Sequence, residues 1–128
     1  MMPMPDDPPI KLHAAFVAAF NAADLEAMTA LYEPDAVMAS QPGAPVVSGV
    51  DAIREAYRRF FATKAEIHLE TLGVIEAGEG LALLHGHWSM KRTGPDGAEV
   101  RTEGRNTEVV RRQPDGRWLF VIDNPFAP

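Results

Sequence analysis

The sequence predicts an α+β domain in which three N-terminal helices are wrapped by one face of a curved sheet. Apolar residues recur at three- and four-residue spacing up to about residue 62, and from Lys64 onward the pattern changes to long strand-like segments. Three glycine-containing signals, EAGEG, TGPDGA and RQPDGR, separate these segments. Short loops of this kind between extended runs are typical of antiparallel hairpins, so the chain predicts helices followed by a four-stranded meander.

Two helical patterns occupy residues 8–34. The first begins at Pro8 and Pro9, which are tolerated there because the first amides of a helix have no intrahelical partner. Its apolar residues recur at four-residue spacing: Leu12, Phe16 and Phe20. Asp24 is expected to cap the second helix, and Pro34 to stop it. The apolar face of the second helix consists of Leu25, Met28, Leu31 and Tyr32.

The third helix follows a short apolar run, DAVMAS, and a loop, QPGAP. Ser48 is the expected N-cap, and Asp51 three residues later completes a capping-box pattern. The buried stripe of this helix is expected to be Ile53, Ala56, Tyr57 and Phe60.

Four strands are expected at about residues 66–76, 80–93, 98–112 and 117–123. Pairing Thr93 with Ala98, and Arg112 with Arg117, gives each hairpin a register. These registers put seven residues on one face: His85 and His87, Asn106 beside His85 and Asp123, and Glu108 between Leu83 and Val121. The opposite face would hold Leu84, Trp88, Met90, Arg105, Thr107, Val109, Trp118, Phe120 and Ile122. Because this face is too apolar to be left in water, we expect it to form a homodimer interface.

Composition limits the kinds of partner. The chain has 128 residues, which suit one domain; we expect residues 1–7 to be frayed and residues 8–128 to form it. The 12 basic and 18 acidic residues give a formal charge of -6, which disfavours nucleic acid and anionic membranes as partners. Cysteine is absent, which excludes disulfides and thiolate chemistry. Without an apolar run of about 20 residues or a signal-like start, a cytoplasmic protein is expected.

The stretch LALLHGHWSM raises the question of a metal site. His85 and His87 lie two apart, and alternate residues of a strand share one face, so both can ligate one ion if Asp123 or Glu108 joins them. The sequence has no obvious third histidine ligand and no recognisable metal-binding motif, so we favour the interpretation that both histidines line a pocket. The alternative is that they lie on the surface or in an interface. No metal or cofactor is expected. Glu108 and Asp123 also have an alternative interpretation, in which they lie on the sheet surface and pair with nearby arginines: Arg105, Arg111 or Arg112.

Three strings resemble the ketosteroid-isomerase-like branch of the nuclear transport factor 2 superfamily, which includes the SnoaL-like proteins. They are FNAADLEAMTALYEPDAV, SGVDAIREAYRRFF and TEVVRRQPDGRWLFVIDNP, and the order of elements matches over nearly the whole chain. The resemblance implies a cystatin-like cone, in which a strongly curved, mainly antiparallel sheet and the helices enclose a deep, mostly apolar pocket. It also implies dimers that form through the outer face of the sheet.

The resemblance carries over less well to catalysis. The isomerases that this chain resembles use a carboxylate base, a tyrosine and a protonated aspartic acid. At the matching positions this chain has Ser40, Phe16 and Glu108. Because the base and the tyrosine are replaced, conventional steroid isomerisation is not expected.

The polar face supplies a different hypothesis. A carboxyl in apolar surroundings has a raised pKa, and a carboxyl hydrogen-bonded to a histidine has a lowered pKa. We therefore predict His85 or Asp123 as the base and Glu108 as the acid or hydrogen-bond donor. The predicted ligand contacts are His87, Asn106, Tyr32, Phe16, Met38, Ser40 and Phe60.

The predicted function is cofactor-independent isomerisation, cyclisation or hydration of a small apolar molecule. The alternative is a non-catalytic module for ligand binding, dimerisation or association. A closed cavity with converging carboxyl and imidazole groups would favour the enzyme. A cavity filled by Phe16, Phe20 and Met38 would favour association.

Overall fold

The computed structural model describes residues 7–128, which form three helices and one six-stranded, curved sheet. The helices are α1 (Lys11–Asn21), α2 (Leu25–Thr29) and α3 (Val50–Ala62). The strands are β1 (Tyr32–Met38), β2 (Val47–Ser48), β3 (Glu66–Ala77), β4 (Leu81–Thr93), β5 (Glu99–Arg112) and β6 (Trp118–Ala127). Their order is β2-β1-β6-β5-β4-β3, and only β1 and β6 pair in parallel. The predicted α+β class is confirmed.

The N-terminal segment is described from Asp7 onward. The fraying expected for residues 1–7 therefore lies outside the described residues, except at Asp7 itself. The carbonyl oxygen of Asp7 accepts a hydrogen bond of 2.8 Å from the Trp118 indole. Among residues 7–128, the longest apolar helices are too short to cross a membrane.

The second helix is shorter than predicted. Asp24 caps it, accepting a hydrogen bond from the backbone N–H of Ala27, but the helix ends at Thr29. Tyr32 instead begins β1, where it pairs with Phe120. Pro34 therefore lies inside a strand and does not stop the helix. The pairing of β1 with β6 is irregular between Tyr32 and Val37, and a proline is tolerated in such a stretch because no ladder donor is needed there.

The predicted cap of the third helix is also wrong. Ser48 belongs to β2 and pairs with Val37, while Gly49 occupies the N-cap without a side-chain hydrogen bond. Gly49 has a φ of 88°, a left-handed conformation that favours glycine. The chain thus turns from β2 into α3 on a glycine.

Both predicted hairpin registers are wrong by one residue for the same reason. Each PDG sequence forms a three-residue loop whose glycine has a positive φ, 82° at Gly97 and 91° at Gly116. The loops are closed by hydrogen bonds from Gly94 N–H to Ala98 O and from Gln113 N–H to Arg117 O. A type I turn followed by a left-handed residue is a common three-residue hairpin loop. Thr93 therefore faces Glu99, and Arg112 faces Trp118.

Because of this one-residue error, the side chains of β4 are predicted on the wrong faces of the sheet, since successive side chains of a strand point in opposite directions. Leu84 faces Glu108 and Gly86 faces Asn106, whereas His85 faces Thr107 on the outer side. On β6, an irregularity between Phe120 and Ile122 adds a second shift. Together the two shifts displace the pairing by two residues, so Glu108 pairs with Asp123 and not with Val121. A displacement of two residues leaves both side chains on their predicted face. Asn106, Glu108 and Asp123 consequently share the inner face.

The core lies between the helices and this inner face. Its largest fully buried side chains include Phe120, Met28, Ile53, Leu84 and Val110. Several residues predicted for the outer face therefore lie inside: Leu84, Trp88, Met90, Trp118 and Phe120. The outer face does contain the other predicted members, namely Arg105, Thr107, Val109 and Ile122.

Candidate functional site

A cavity of about 460 Å³ lies between the helices and the inner face of the sheet. Aromatic side chains make much of its wall. The ring of Phe16 lies 5.8 Å from that of Phe20, 6.3 Å from that of Tyr57 and 6.1 Å from that of Phe120, measured between centroids. Because these rings pack against one another around the cavity, Phe16 and Phe20 line it without filling it.

Most of the predicted site residues lie in this wall, and three do not. Those in the wall are Phe16, Met38, Ser40, Phe60, Asn106, Glu108 and Asp123. Tyr32 is buried behind the wall and contacts it through Asp123. The other two, His85 and His87, belong to the outer face of the sheet.

The predicted positions of His85 and His87 are wrong because of the register error in β4. His85 lies over Gly73 of the neighbouring strand, where any added β-carbon would collide with the imidazole. The His87 side chain is 42% exposed, and its Nε2 lies 3.8 Å from Glu103 Oε1. Residues 7–128 contain no group of three or more potential metal ligands. The histidine pair therefore has no third ligand beside it.

Asp123 is held by a chain of tyrosine hydroxyls. The Tyr32 hydroxyl donates to Asp123 Oδ2 at 2.5 Å. The Tyr57 and Tyr32 hydroxyl oxygens are also 2.5 Å apart, and since Tyr32 gives its proton to Asp123, Tyr57 donates to Tyr32. Burial, followed by the nearby charge of Asp123, raises the pKa of both tyrosines well above the usual value. Both hydroxyls therefore stay protonated and serve as donors at neutral pH.

Asp123 itself has an unusual proton affinity. Burial and then the negative charge of Glu108 raise its pKa from 3.8 to about 7, against the opposing effect of the hydrogen bond from Tyr32. Asp123 is 7% exposed, and it lines the cavity. The hydrogen-bond partner of Asp123 is thus Tyr32, and the carboxyl binds a proton near neutrality.

Glu108 is held as an acceptor of hydrogen bonds. The Asn106 amide donates to both carboxylate oxygens, at 2.8 and 3.1 Å, and His13 Nε2 contacts Oε1. His13 Nδ1 in turn lies 2.7 Å from the Thr71 hydroxyl. Both oxygens of Glu108 therefore accept hydrogen bonds from the Asn106 amide. The predicted apolar neighbours of Glu108, Leu83 and Val121, are wrong, since it pairs with Leu84 and Asp123.

Gly86 allows this arrangement to form. A β-carbon at Gly86 would lie 2.5 Å from the backbone oxygen of Glu70 and 3.1 Å from Asn106 Oδ1. Asn106 can lie flat over β4 only because its cross-strand partner has no side chain. The glycine between His85 and His87 therefore contributes to the site, whereas the two histidines do not line it.

Two residues of the site were missed at the level of sequence. His13 is 4% exposed and lines the cavity, and it shares a helical face with Phe16 and Phe20 through three- and four-residue spacing. A histidine within an apolar helical stripe was the available signal. Tyr57 was assigned to the core, and only the fold reveals that its hydroxyl reaches Tyr32.

The cavity and the carboxyl pair define a class of protein: a small α+β roll in which buried carboxyl, imidazole and hydroxyl groups cluster beside an apolar chamber. The chain belongs to the SnoaL-like domain family, whose pattern matches residues 13–121. No curated protein matches it.

Solved structures with the same fold come from several bacteria. A ketosteroid isomerase-like protein from Erwinia carotovora atroseptica is 23% identical, with a TM-score of 0.79 over 94% of this chain and 95% of that one. A proposed calcium/calmodulin-dependent protein kinase II association domain from Xanthomonas campestris is 20% identical, with a TM-score of 0.80 over 93% and 84%. A proposed dehydratase of the NTF2-like family from Streptomyces avermitilis is 23% identical, with a TM-score of 0.72 over 89% of each chain. The predicted nuclear transport factor 2-like fold is confirmed.

Proposed function

We propose that this protein binds a small, largely apolar molecule in the cavity and transfers protons to or from it through Asp123. The observation that carries the proposal is a buried carboxyl on an apolar cavity wall with its pKa near 7. A general acid or base works best when its pKa lies near the working pH, because both protonation states are then accessible. Asp123 can thus accept a proton in one step and return it in another.

The neighbouring groups have distinct roles in this proposal. Tyr32 donates to one oxygen of Asp123 and fixes the direction of the carboxyl, while Tyr57 donates to the Tyr32 hydroxyl. Glu108 keeps a negative charge nearby, and that charge increases the proton affinity of Asp123. His13 contacts Glu108 through Nε2 and holds its carboxyl in place beside Asp123. Two carboxyls in different environments are a common way to divide acid and base roles.

The reaction class is isomerisation, cyclisation or hydration and its reverse, without a cofactor. Each of these reactions needs a proton to be moved on a bound organic molecule while water is excluded. The matches to an isomerase-like protein and to a proposed dehydratase support this choice. In this proposal, Phe16, Met38 and Phe60 contact the apolar body of the ligand, and Ser40 and Asn106 its polar groups. His85 and His87 have no role in it.

A non-catalytic association module is the second candidate, and the match to a proposed association domain favours it. The open cavity of about 460 Å³ argues against this candidate, because an association module has no need of an apolar chamber with buried carboxyls. The volume falls within the usual range of small-molecule pockets, about 300 to 1,000 Å³.

We also propose that two copies of the chain pair through the outer face of the sheet. A cross-strand row of apolar residues runs over four strands there: Ile75, Leu83, Val109 and Ile122. Ile75 is 64% exposed and Ile122 is 45% exposed, which is costly for neighbouring aliphatic side chains in water. Sedimentation should show a dimer for the wild type and a monomer for Ile122→Asp. A monomeric wild type at micromolar concentration would contradict this proposal.

The function is tested with a panel of apolar carbonyl compounds that includes steroid, polyketide and terpene ketones. A compound that raises the melting temperature is incubated with the protein in deuterated water, and deuterium incorporation beside its carbonyl is followed by NMR. Asp123→Asn should slow the exchange by about 100-fold or more, because general acid–base catalysis contributes about 10² to 10⁴ in rate. Asp115→Asn, on an exposed hairpin loop, is the matched control and should leave the rate unchanged.

The outcomes distinguish the candidates. Exchange that depends on Asp123 supports the enzyme. Binding without exchange, or exchange unaffected by Asp123→Asn, favours the non-catalytic module. If none of the compounds stabilises the protein, the small-molecule function is overturned.

A further inference from the structure

The wall of the cavity contains one arginine, Arg92, which the acid–base cluster does not use. Arg92 lies on the inner face of β4. It follows Leu84, the residue that pairs with Glu108, by eight residues. At about 3.3 Å of rise per residue, these eight residues correspond to roughly 26 Å along the strand, less the curvature of the sheet. The cavity thus has carboxyls at one end and a guanidinium toward the other.

Arg92 is half-buried and has no carboxylate partner, a combination that the other arginines of residues 7–128 do not share. Arg59, Arg105 and Arg112 also lack a carboxylate partner within this range, but they are exposed to solvent. Five arginines of the described chain each bind a carboxylate: Arg54, Arg58, Arg101, Arg111 and Arg117. Within residues 7–128, Arg92 forms neither an ion pair nor a hydrogen bond, although it is half-buried. Apolar side chains such as Ile67 and Met90 line the cavity with it. A guanidinium that is partly removed from water loses hydration, and an anionic partner offsets that loss.

We propose that Arg92 binds the carboxylate of an amphipathic organic acid, whose apolar body fills the cavity and whose other end reaches Asp123. The inference rests on the proposed function and names its substrate class. A guanidinium forms two parallel hydrogen bonds with a carboxylate, so Arg92 provides orientation as well as attraction. The repulsion between the ligand's carboxylate and the buried charge of Glu108 favours the same orientation.

Thr102 supports this reading of the site. Thr102 pairs with Met90, and Val100 pairs with Arg92, so Thr102 is the diagonal cross-strand neighbour of Arg92. Diagonal neighbours lie within reach of long side chains. Thr102 also lines the cavity, and a threonine hydroxyl can donate a hydrogen bond to a carboxylate bound at Arg92.

The proposal is tested with decanoate and decan-1-ol, which share an apolar chain and differ in the charged group. Binding to the full chain is followed by tryptophan fluorescence, because Trp88 lines the cavity. Arg92→Gln should weaken decanoate binding at least tenfold and leave decan-1-ol binding unchanged within about twofold, since a hydrogen bond to a charged group is worth about one to two powers of ten in affinity. Arg101→Gln removes an exposed arginine from the neighbouring strand and should change neither affinity.

Salt provides a second measurement. The preference for decanoate over decan-1-ol should shrink as ionic strength rises in the wild type, and this dependence should disappear in Arg92→Gln. An unchanged decanoate affinity in Arg92→Gln, or an equal loss for both compounds, would overturn the role of Arg92 and leave that of Asp123 intact. If neither compound binds the wild type, the small-molecule function fails together with this inference.

Discussion

Replacing Asp123 by Asn should stabilise the protein at high pH. The carboxyl has an ordinary pKa of 3.8 and a folded-state pKa of about 7, raised by burial and by the charge of Glu108. Each pH unit between these values corresponds to about 1.36 kcal/mol, so ionisation of Asp123 costs the folded state about 4 kcal/mol above pH 7. An amide cannot ionise, and its oxygen can still accept the hydrogen bond from Tyr32.

The sign follows from which state loses the proton first. Below pH 3.8 the carboxyl is protonated in both states, and the wild type suffers no penalty. Between pH 3.8 and about 7 the unfolded chain releases its proton while the folded chain keeps it, so stability falls as pH rises. Above about pH 7 the folded state is ionised as well, and the loss is complete. The stability of Asp123→Asn does not show this decrease as the pH rises from 3.8 to about 7.

Urea unfolding at pH 5 and pH 8, followed by circular dichroism, measures the effect. The difference in unfolding free energy between Asp123→Asn and wild type should grow by about 3 kcal/mol from pH 5 to pH 8. With a slope of about 2 kcal/mol per molar urea, the midpoints should separate by a further 1.5 M or so. Glu103→Gln changes a carboxyl whose side chain is 75% exposed and should show no such dependence. Parallel pH profiles for Asp123→Asn and wild type would refute the raised pKa.

Two further predictions concern the neighbours of Asp123. Tyr32→Phe removes the hydrogen bond that lowers the pKa of Asp123, so this pKa should rise further, by about one to two pH units; carbon-13 NMR of the side-chain carboxyl measures it, and a fall or no change would contradict the assigned donor. Gly86→Ala places a methyl group 2.5 Å from the Glu70 backbone oxygen and should destabilise the fold by about 1 to 3 kcal/mol in urea unfolding. A neutral Gly86→Ala would show that the two strands are not in close contact there.

The sequence predicts the elements of this fold better than their pairing. The four long strands begin and end within a few residues of the predicted positions, because strand patterns and PDG turns are local signals. The number of residues in each loop is decided by one backbone angle, at Gly97 and at Gly116, which the residue types permit but do not require. A one-residue difference there reverses the face of a whole strand.

The same argument explains which site residues were predicted. Asn106, Glu108 and Asp123 share a face because an irregularity in β6 compensates for the shifted turn. His85 was misplaced because β4 has no such compensation. His13 could not be connected with Glu108 by strand register, since the two residues are 95 positions apart and meet only when α1 packs on the sheet.

Carbon-13 NMR of the aspartate side chains is the most direct test of the central claim, that a buried carboxyl poised near neutrality faces the cavity. One resonance should titrate near pH 7, disappear in Asp123→Asn and titrate at lower pH in Glu108→Gln, where the charge that raises the pKa is gone. If every aspartate carboxyl titrates near the ordinary value of 3.8, Asp123 is not the acid–base group and the account is contradicted.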